Sequence, residues 1–166
     1  MAATPSTMIP LGTIAPAFSL PDTQSGKTVN ISDLRGSKGT LVMFICNHCP
    51  YVLHLNKVLV QMAHEYQKQG VNFIAISAND AIKYPQDGPE QMKAHAIKEG
   101  YPFPYLYDES QAVAKAYDAT CTPDFFLFDE ELRCVYRGQF DDTRPNSPTP
   151  AHGKDLKNAI EAVIQQ

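Results

Sequence analysis

Thr40-Leu41-Val42-Met43-Phe44-Ile45-Cys46-Asn47-His48-Cys49-Pro50 decides the fold. Residues 40–45, β-prone and apolar throughout, predict a central strand covered on both faces. The stretch after Cys49 reads as helix. Val52, Leu55, Leu59, Ala63 and Tyr66 recur at spacings of three and four, and Gly70 stops the pattern, so residues 49–69 are expected to form the longest helix. The two cysteines therefore sit where a strand hands over to the first turn of a helix. Backbone N–H groups without intrahelical partners point at the sulfur there, and the helix dipole favours negative charge. Both effects lower a thiol pKa, and the thiolate is the form that attacks disulfides and peroxides.

The spacing of the pair has its own meaning. Residues three apart in a first helical turn share a face, close enough for a disulfide to form with little strain. The expectation is an exposed Cys46 that attacks and a more buried Cys49 that resolves the mixed disulfide. Asn47 and His48 lie between them as tuning residues. His48 is expected to donate to the Cys46 thiolate or to place positive charge beside it, which makes the pair more oxidising. Pro50 is tolerated because the first turn has no intrahelical partner for its missing N–H. Zinc is not expected: a structural site takes four ligands, and the chain has no second Cys-x-x-Cys and no Cys/His cluster at a ligand spacing. No metal or other cofactor is expected.

The bulk properties bound the rest. A chain of 166 residues fits one domain with a real core. A net charge of −4 gives no reason to expect nucleic acid or a membrane surface as partner. No apolar stretch approaches the ~20 residues that span a bilayer. Residues 1–10 read as a flexible arm without a secretory signal. Four cysteines are too few for a disulfide scaffold at this length, so the setting is expected to be cytoplasmic and reducing, and the pair redox-active.

Along the chain, short strands are expected at residues 17–20 and 27–31, with a helical turn at 32–34. A buried strand comes next at 71–77, then a turn at 85–89 and a helix at 90–99. A strand at 106–108 precedes a helix at 110–117 that Ser110 would cap. Strands at 124–128 and 133–137 are joined by the tight turn Asp129-Glu130-Glu131. A proline-rich loop at 141–152 leads to a last helix at 154–164. Early βα alternation implies parallel strands with crossover helices, and the late hairpin adds an antiparallel edge.

Thr120-Cys121-Thr122-Pro123-Asp124-Phe125-Phe126-Leu127-Phe128 completes a pattern. A strand, a Cys-x-x-Cys, a long helix, then a Thr-Pro before a hairpin and a final helix resemble the thioredoxin fold. The resemblance implies an α/β fold of three layers, with helices on both faces of a central mixed sheet. It also implies a cis Thr122–Pro123 bond in a substrate-facing loop beside the dithiol. Residues 12–22 and 30–36 resemble the opening of peroxiredoxins and related redoxins, the alkyl hydroperoxide reductase and thiol-specific antioxidant group. That adds an N-terminal β extension and makes residues 11–166 a single thioredoxin-like (redoxin) domain.

The peroxidatic motif of that group is Pro-x-x-x-Thr/Ser-x-x-Cys. With Cys49 in the cysteine position, Val42 replaces the proline and Cys46 the hydroxyl residue. The activating arginine has no clear match. The expected function is therefore thiol–disulfide oxidoreductase, acting on a disulfide-containing protein or small molecule and recharged by a dithiol reductant. A thiol-dependent peroxidase with antioxidant activity is the alternative, and a redox-sensing interaction module the second. Monomer and homodimer are both open. Cys121 is a candidate additional redox thiol, and Arg144 a candidate loop or anion contact. Cys134 reads as core filler; His54, His64 and His95 read as surface or packing residues. No acid in the sequence is an evident match for the buried carboxylate that serves as base in thioredoxins.

Overall fold

The computed structural model describes residues 9–166, so the expected arm at residues 1–10 falls almost wholly outside the described residues. The N-terminal extension is an antiparallel hairpin of β1 (Ser19–Pro21) and β2 (Thr28–Asn30), followed by one helical turn, α1 (Ile31–Leu34). Asn30 starts that turn because its side chain accepts from the Asp33 N–H at 3.0 Å. Asp22 ties the hairpin to the rest: one carboxylate oxygen accepts from the Tyr105 N–H, 83 residues away, at 3.1 Å.

The sheet grows outward from β3 (Gly39–Phe44), all six residues of which are buried. Alternation divides them between two cores. Leu41 and Met43 face one side with Cys46 and Cys49, while Val42 and Phe44 face the other with Phe126 and Tyr117. The long helix α2 (Pro50–Gln67) leads to β4 (Val71–Ser77), and α3 (Pro89–Glu99) leads to β5 (Tyr105–Tyr107). Both strands run parallel to β3. After α4 (Ala112–Ala116), β6 (Asp124–Asp129) returns antiparallel on the other side of β3, and β7 (Cys134–Gly138) pairs antiparallel beyond it. The order is β5-β4-β3-β6-β7, and α5 (Lys154–Ile164) closes the chain. Helices α2, α3 and α5 bury their apolar residues in the first core; α1 and residues around α4 cover the second. This is the expected three-layer thioredoxin-like architecture.

Several boundaries shift by a residue or two from expectation, β1 for example lying at Ser19–Pro21, and two of the shifts involve helix starts. The long helix begins at Pro50, with Cys49 as its cap residue. Helix α4 is shorter than expected and is preceded by Gln111 in the left-handed region (φ 64). Asp108, not Ser110, serves its first turn: an Asp108 oxygen accepts from the Ala114 N–H at 2.8 Å, whereas the Ser110 hydroxyl reaches only Ala112, at 3.3 Å.

The proline-rich loop before α5 is pinned by Asp141. Its carboxylate accepts from the Thr143 hydroxyl and N–H and from the N–H groups of His152 and Gly153, at 2.6–2.9 Å. Gly153 itself is left-handed (φ 70), and a Cβ there would meet Met62 and Phe140 at 2.9 Å. Burial alone would raise the Asp141 pKa, but the Thr143 hydroxyl and the three N–H groups hold it down to about 2. A lowered carboxylate pKa stabilises the folded chain fully above the ordinary value of 3.8, and that contribution is lost as pH falls toward about 2. Asp141→Ala should cost about 3 kcal/mol in urea unfolding at pH 7 and little below pH ~2. An equal cost at both pH values would contradict this assignment.

Candidate active site

The cysteines lie at the carboxyl end of β3, where parallel α/β sheets place their sites. Cys46 comes just after the strand, and Cys49 caps α2 through its carbonyl, which accepts the first helical bond, from Leu53 N–H at 3.0 Å. Across from them the Thr122–Pro123 bond is cis, as the resemblance implies. Thr122 reaches both sulfurs. Its Oγ1 is 3.7 Å from Cys46 Sγ, and its carbonyl oxygen accepts from the protonated Cys49 thiol at 3.5 Å.

Both cysteines are fully buried (0% exposed), which corrects the expectation of an exposed Cys46. A hydrogen bond between the two sulfurs couples their ionisation. A hydrogen bond to Cys49, then burial, pushes Cys46 well above the thiol range, and the Asp87 carboxylate adds to this. The same bond from Cys46 brings Cys49 below the thiol range despite its burial. The Thr122 hydroxyl and the N–H groups of Val52 and Tyr51 act in the same direction. The amides of the helix start favour a thiolate on Cys49. The six-residue strand ends before Cys46 and the helix begins at Pro50, so the Tyr51 and Val52 N–H groups of the first turn bear on Cys49.

Asp87 is the residue that sequence reading missed. It is fully buried (0% exposed) at the end of a 3-10 turn, Pro85–Asp87. One oxygen accepts from the Asn47 N–H at 3.0 Å; the other accepts from Asn79 Nδ2 at 2.8 Å and lies 2.6 Å from His48 Nδ1. The charge beside Cys46 is therefore this carboxylate, and His48 is turned toward Asp87 and stacked on Tyr84 with centroids 5.4 Å apart. Asn47 holds the turn rather than a sulfur: its Nδ2 donates to the Gln86 carbonyl at 2.8 Å, and its Oδ1 accepts from the Tyr105 hydroxyl at 2.9 Å. A histidine between two cysteines with no acid nearby in sequence is a hint of a distant carboxylate, but 39 residues separate His48 from Asp87.

A cavity of about 970 Å³ opens beside the pair, walled by His48, Tyr51, Thr122 and Pro123 on one side and by Phe140, Thr143 and Arg144 on another. Cys121 also lines it, with Sγ 4.0 Å from the Pro123 carbonyl. Arg144 staples its own loop, donating to the Thr143 and Asp141 carbonyls at 2.7 and 3.3 Å. His54, also on the cavity wall, is held by Thr143 Oγ1 at 2.8 Å. Cys134 is buried core, as expected, and burial raises its pKa. His64 is exposed, and His95 packs edge-on against Tyr101, where burial lowers its pKa.

This sheet order, the dithiol at the start of α2 and the cis Thr-Pro opposite define a thioredoxin-like protein. The AhpC/TSA family matches residues 11–137, and the chain belongs to that family. It is 31% identical over 129 residues to the thiol-disulfide oxidoreductase ResA of Bacillus subtilis, covering 75% of this chain and 64% of that protein. It is 32% identical over 104 residues to a chloroplastic peroxiredoxin Q of Triticum aestivum, covering 63% of this chain and 44% of the relative. The chain thus spans less than two thirds of either relative's length. An uncharacterized conserved protein of Geobacillus kaustophilus superposes with a TM-score of 0.97 at 52% identity, over 99% of this chain and 87% of that one. The thioredoxin domain of a thiol-disulfide oxidoreductase from Bacteroides vulgatus shares the fold, with a TM-score of 0.73 at 20% identity over 95% and 99% of the two chains.

Proposed function

We propose that the protein is a thiol–disulfide oxidoreductase in which Cys46 and Cys49 cycle between dithiol and disulfide. The observation that carries this reading is the buried pair itself, Cys49 capping α2 and Cys46 beside Asp87, both within reach of Thr122 in the cis Thr122–Pro123 loop. A substrate disulfide approaches from the cavity across Thr122 and Pro123. The Cys49 thiolate attacks one substrate sulfur, the substrate S–S bond breaks, and the departing thiolate takes a proton. Cys46 then gives its proton to the Asp87–His48 pair and attacks the Cys49 sulfur, and the second substrate thiolate leaves. His48, a quarter exposed, passes the proton to water. The product is a Cys46–Cys49 disulfide, which an external dithiol reduces.

This order reverses the expected roles of the two cysteines, because the thiolate is the attacking form and the helix start favours it on Cys49. Cys121 and Arg144 have places on the cavity wall but no step in the reaction. The low cysteine count supports a reducing, cytoplasmic setting. The test is turnover: with a dithiol donor, the protein should reduce the interchain disulfides of insulin well above the donor alone. A rate equal to that of the donor would overturn the reading.

A second reading, thiol peroxidase, is favoured by one observation: Cys49 has the lowered pKa and helix-start position that peroxide reduction uses. Against it stands the arginine arrangement. Arg137, on β7, has a fully buried side chain whose Nε and Nη2 pair with Asp124 at 3.0 and 2.7 Å, and it is not among the residues that line the cavity beside the cysteines. Stopped-flow oxidation by hydrogen peroxide should be no faster than for a free thiol of similar pKa. A rate several orders faster would make peroxide the substrate.

A further inference from the structure

The cluster around Cys46 holds more donor atoms than disulfide exchange requires. One atom each from Cys46, His48 and Asp87 lie within 4.8 Å of one another, and a hydrogen bond joins Cys46 to Cys49. That is one sulfur, one imidazole nitrogen and one carboxylate oxygen in a single group, with the Cys49 sulfur hydrogen-bonded to Cys46 but outside the group, and a turn of its side chain would complete the donor set that suits tetrahedral zinc. The supporting groups are those a metal site uses. Asn47 N–H and Asn79 Nδ2 bond the carboxylate and fix its orientation, and Tyr84 stacks on the imidazole. His48 Nδ1 is buried and, although 2.6 Å from Asp87 Oδ2, has no hydrogen-bond partner of good geometry. The sequence could not show this set, because Asp87 joins it only through the fold.

We propose that the reduced protein binds one Zn²⁺ through Cys46, His48 and Asp87, with the Cys49 sulfur turned in as the fourth ligand, and that the metal caps the dithiol until it is displaced. Binding breaks the Cys46 S–H bond and releases that proton; the imidazole keeps its other proton on Nε2, and Nδ1 becomes the ligand. Four ligands around one ion need the His48 and Asp87 atoms to separate from their 2.6 Å contact, since each sits about 2 Å from the metal. Oxidation to the Cys46–Cys49 disulfide removes both thiolates and releases the metal. The oxidant is the substrate disulfide, so this gating step rests on the exchange reading, whereas the metal site does not.

Anaerobic titration of the reduced protein with Zn²⁺, in competition with a chromophoric chelator, tests the site, with Co²⁺ as a spectroscopic probe. The expected result is one ion per chain, a thiolate-to-cobalt charge-transfer band, and no binding by the disulfide form. His48→Ala and Asp87→Asn should each weaken binding by at least tenfold. His48→Ala removes no backbone contact, so it remains informative if Asp87→Asn loosens the turn. Absence of stoichiometric binding would overturn the proposal. So would affinity unchanged in both variants, which would mean that the dithiol alone takes the metal. Insulin turnover in excess chelator reads the exchange activity separately from this outcome.

Discussion

Serine in place of either cysteine should lower insulin reduction by at least about a thousandfold, because neither half of the exchange proceeds alone. The two variants should fail differently. In Cys46→Ser the Cys49 thiolate still attacks, so a mixed disulfide with substrate accumulates. In Cys49→Ser the remaining thiol is Cys46, which loses its Cys49 partner but stays buried beside the Asp87 carboxylate, so less adduct should form. Mass spectrometry of each variant after exposure to a disulfide substrate separates the cases. An adduct on Cys46 in Cys49→Ser, with none in Cys46→Ser, would restore the order that the sequence alone suggested.

The second large effect concerns stability. Arg137 and Asp124 form a buried ion pair, with side chains 0% and 1% exposed, and the guanidinium carbon lies 3.9 Å from the Phe126 ring centre. Arg137→Met leaves a buried carboxylate without its cation, and breaking such a pair costs about 3–5 kcal/mol. For a domain of this size that is a fall in Tm of roughly 10 °C. The cost comes from stranding one charge, so adding Asp124→Leu to Arg137→Met should recover most of it. If the double variant is as unstable as the single one, the pair is not the cause. Asp124 comes directly after Pro123, so Arg137→Met should also lower turnover by shifting the loop opposite the cysteines.

The sheet was legible in the sequence because its signals are local. Residues 40–45 could hardly be anything but a doubly covered strand, and the three-and-four spacing from Val52 to Tyr66 marks the helix after it. The Thr122–Pro123 loop was legible only through resemblance, since a proline before an apolar strand looks the same in cis and in trans. The chemistry of the pair was half legible. A helix start lowers a thiol pKa, but which cysteine meets the free amides depends on where the helix begins, and one residue decides it. Asp87 itself was not singled out by the sequence, where only His48 hints at a distant carboxylate: it sits in a polar turn that reads as a surface loop, and the packing of that turn against the ends of β3 and β4 buries its carboxylate. The same holds for Asp141, which lies in what reads only as a proline-rich loop and which organises that loop into α5.

A single turnover of the reduced protein with excess insulin, quenched in acid, alkylated and mapped by peptide mass, tests the proposed chemistry most directly. The predicted result is loss of two thiols per reduced insulin disulfide, with Cys46 and Cys49 recovered as one linked pair and Cys121 and Cys134 alkylated. Recovery of all four cysteines as alkylated thiols beside intact insulin, or of Cys121 in the linked pair in place of Cys46, would contradict it.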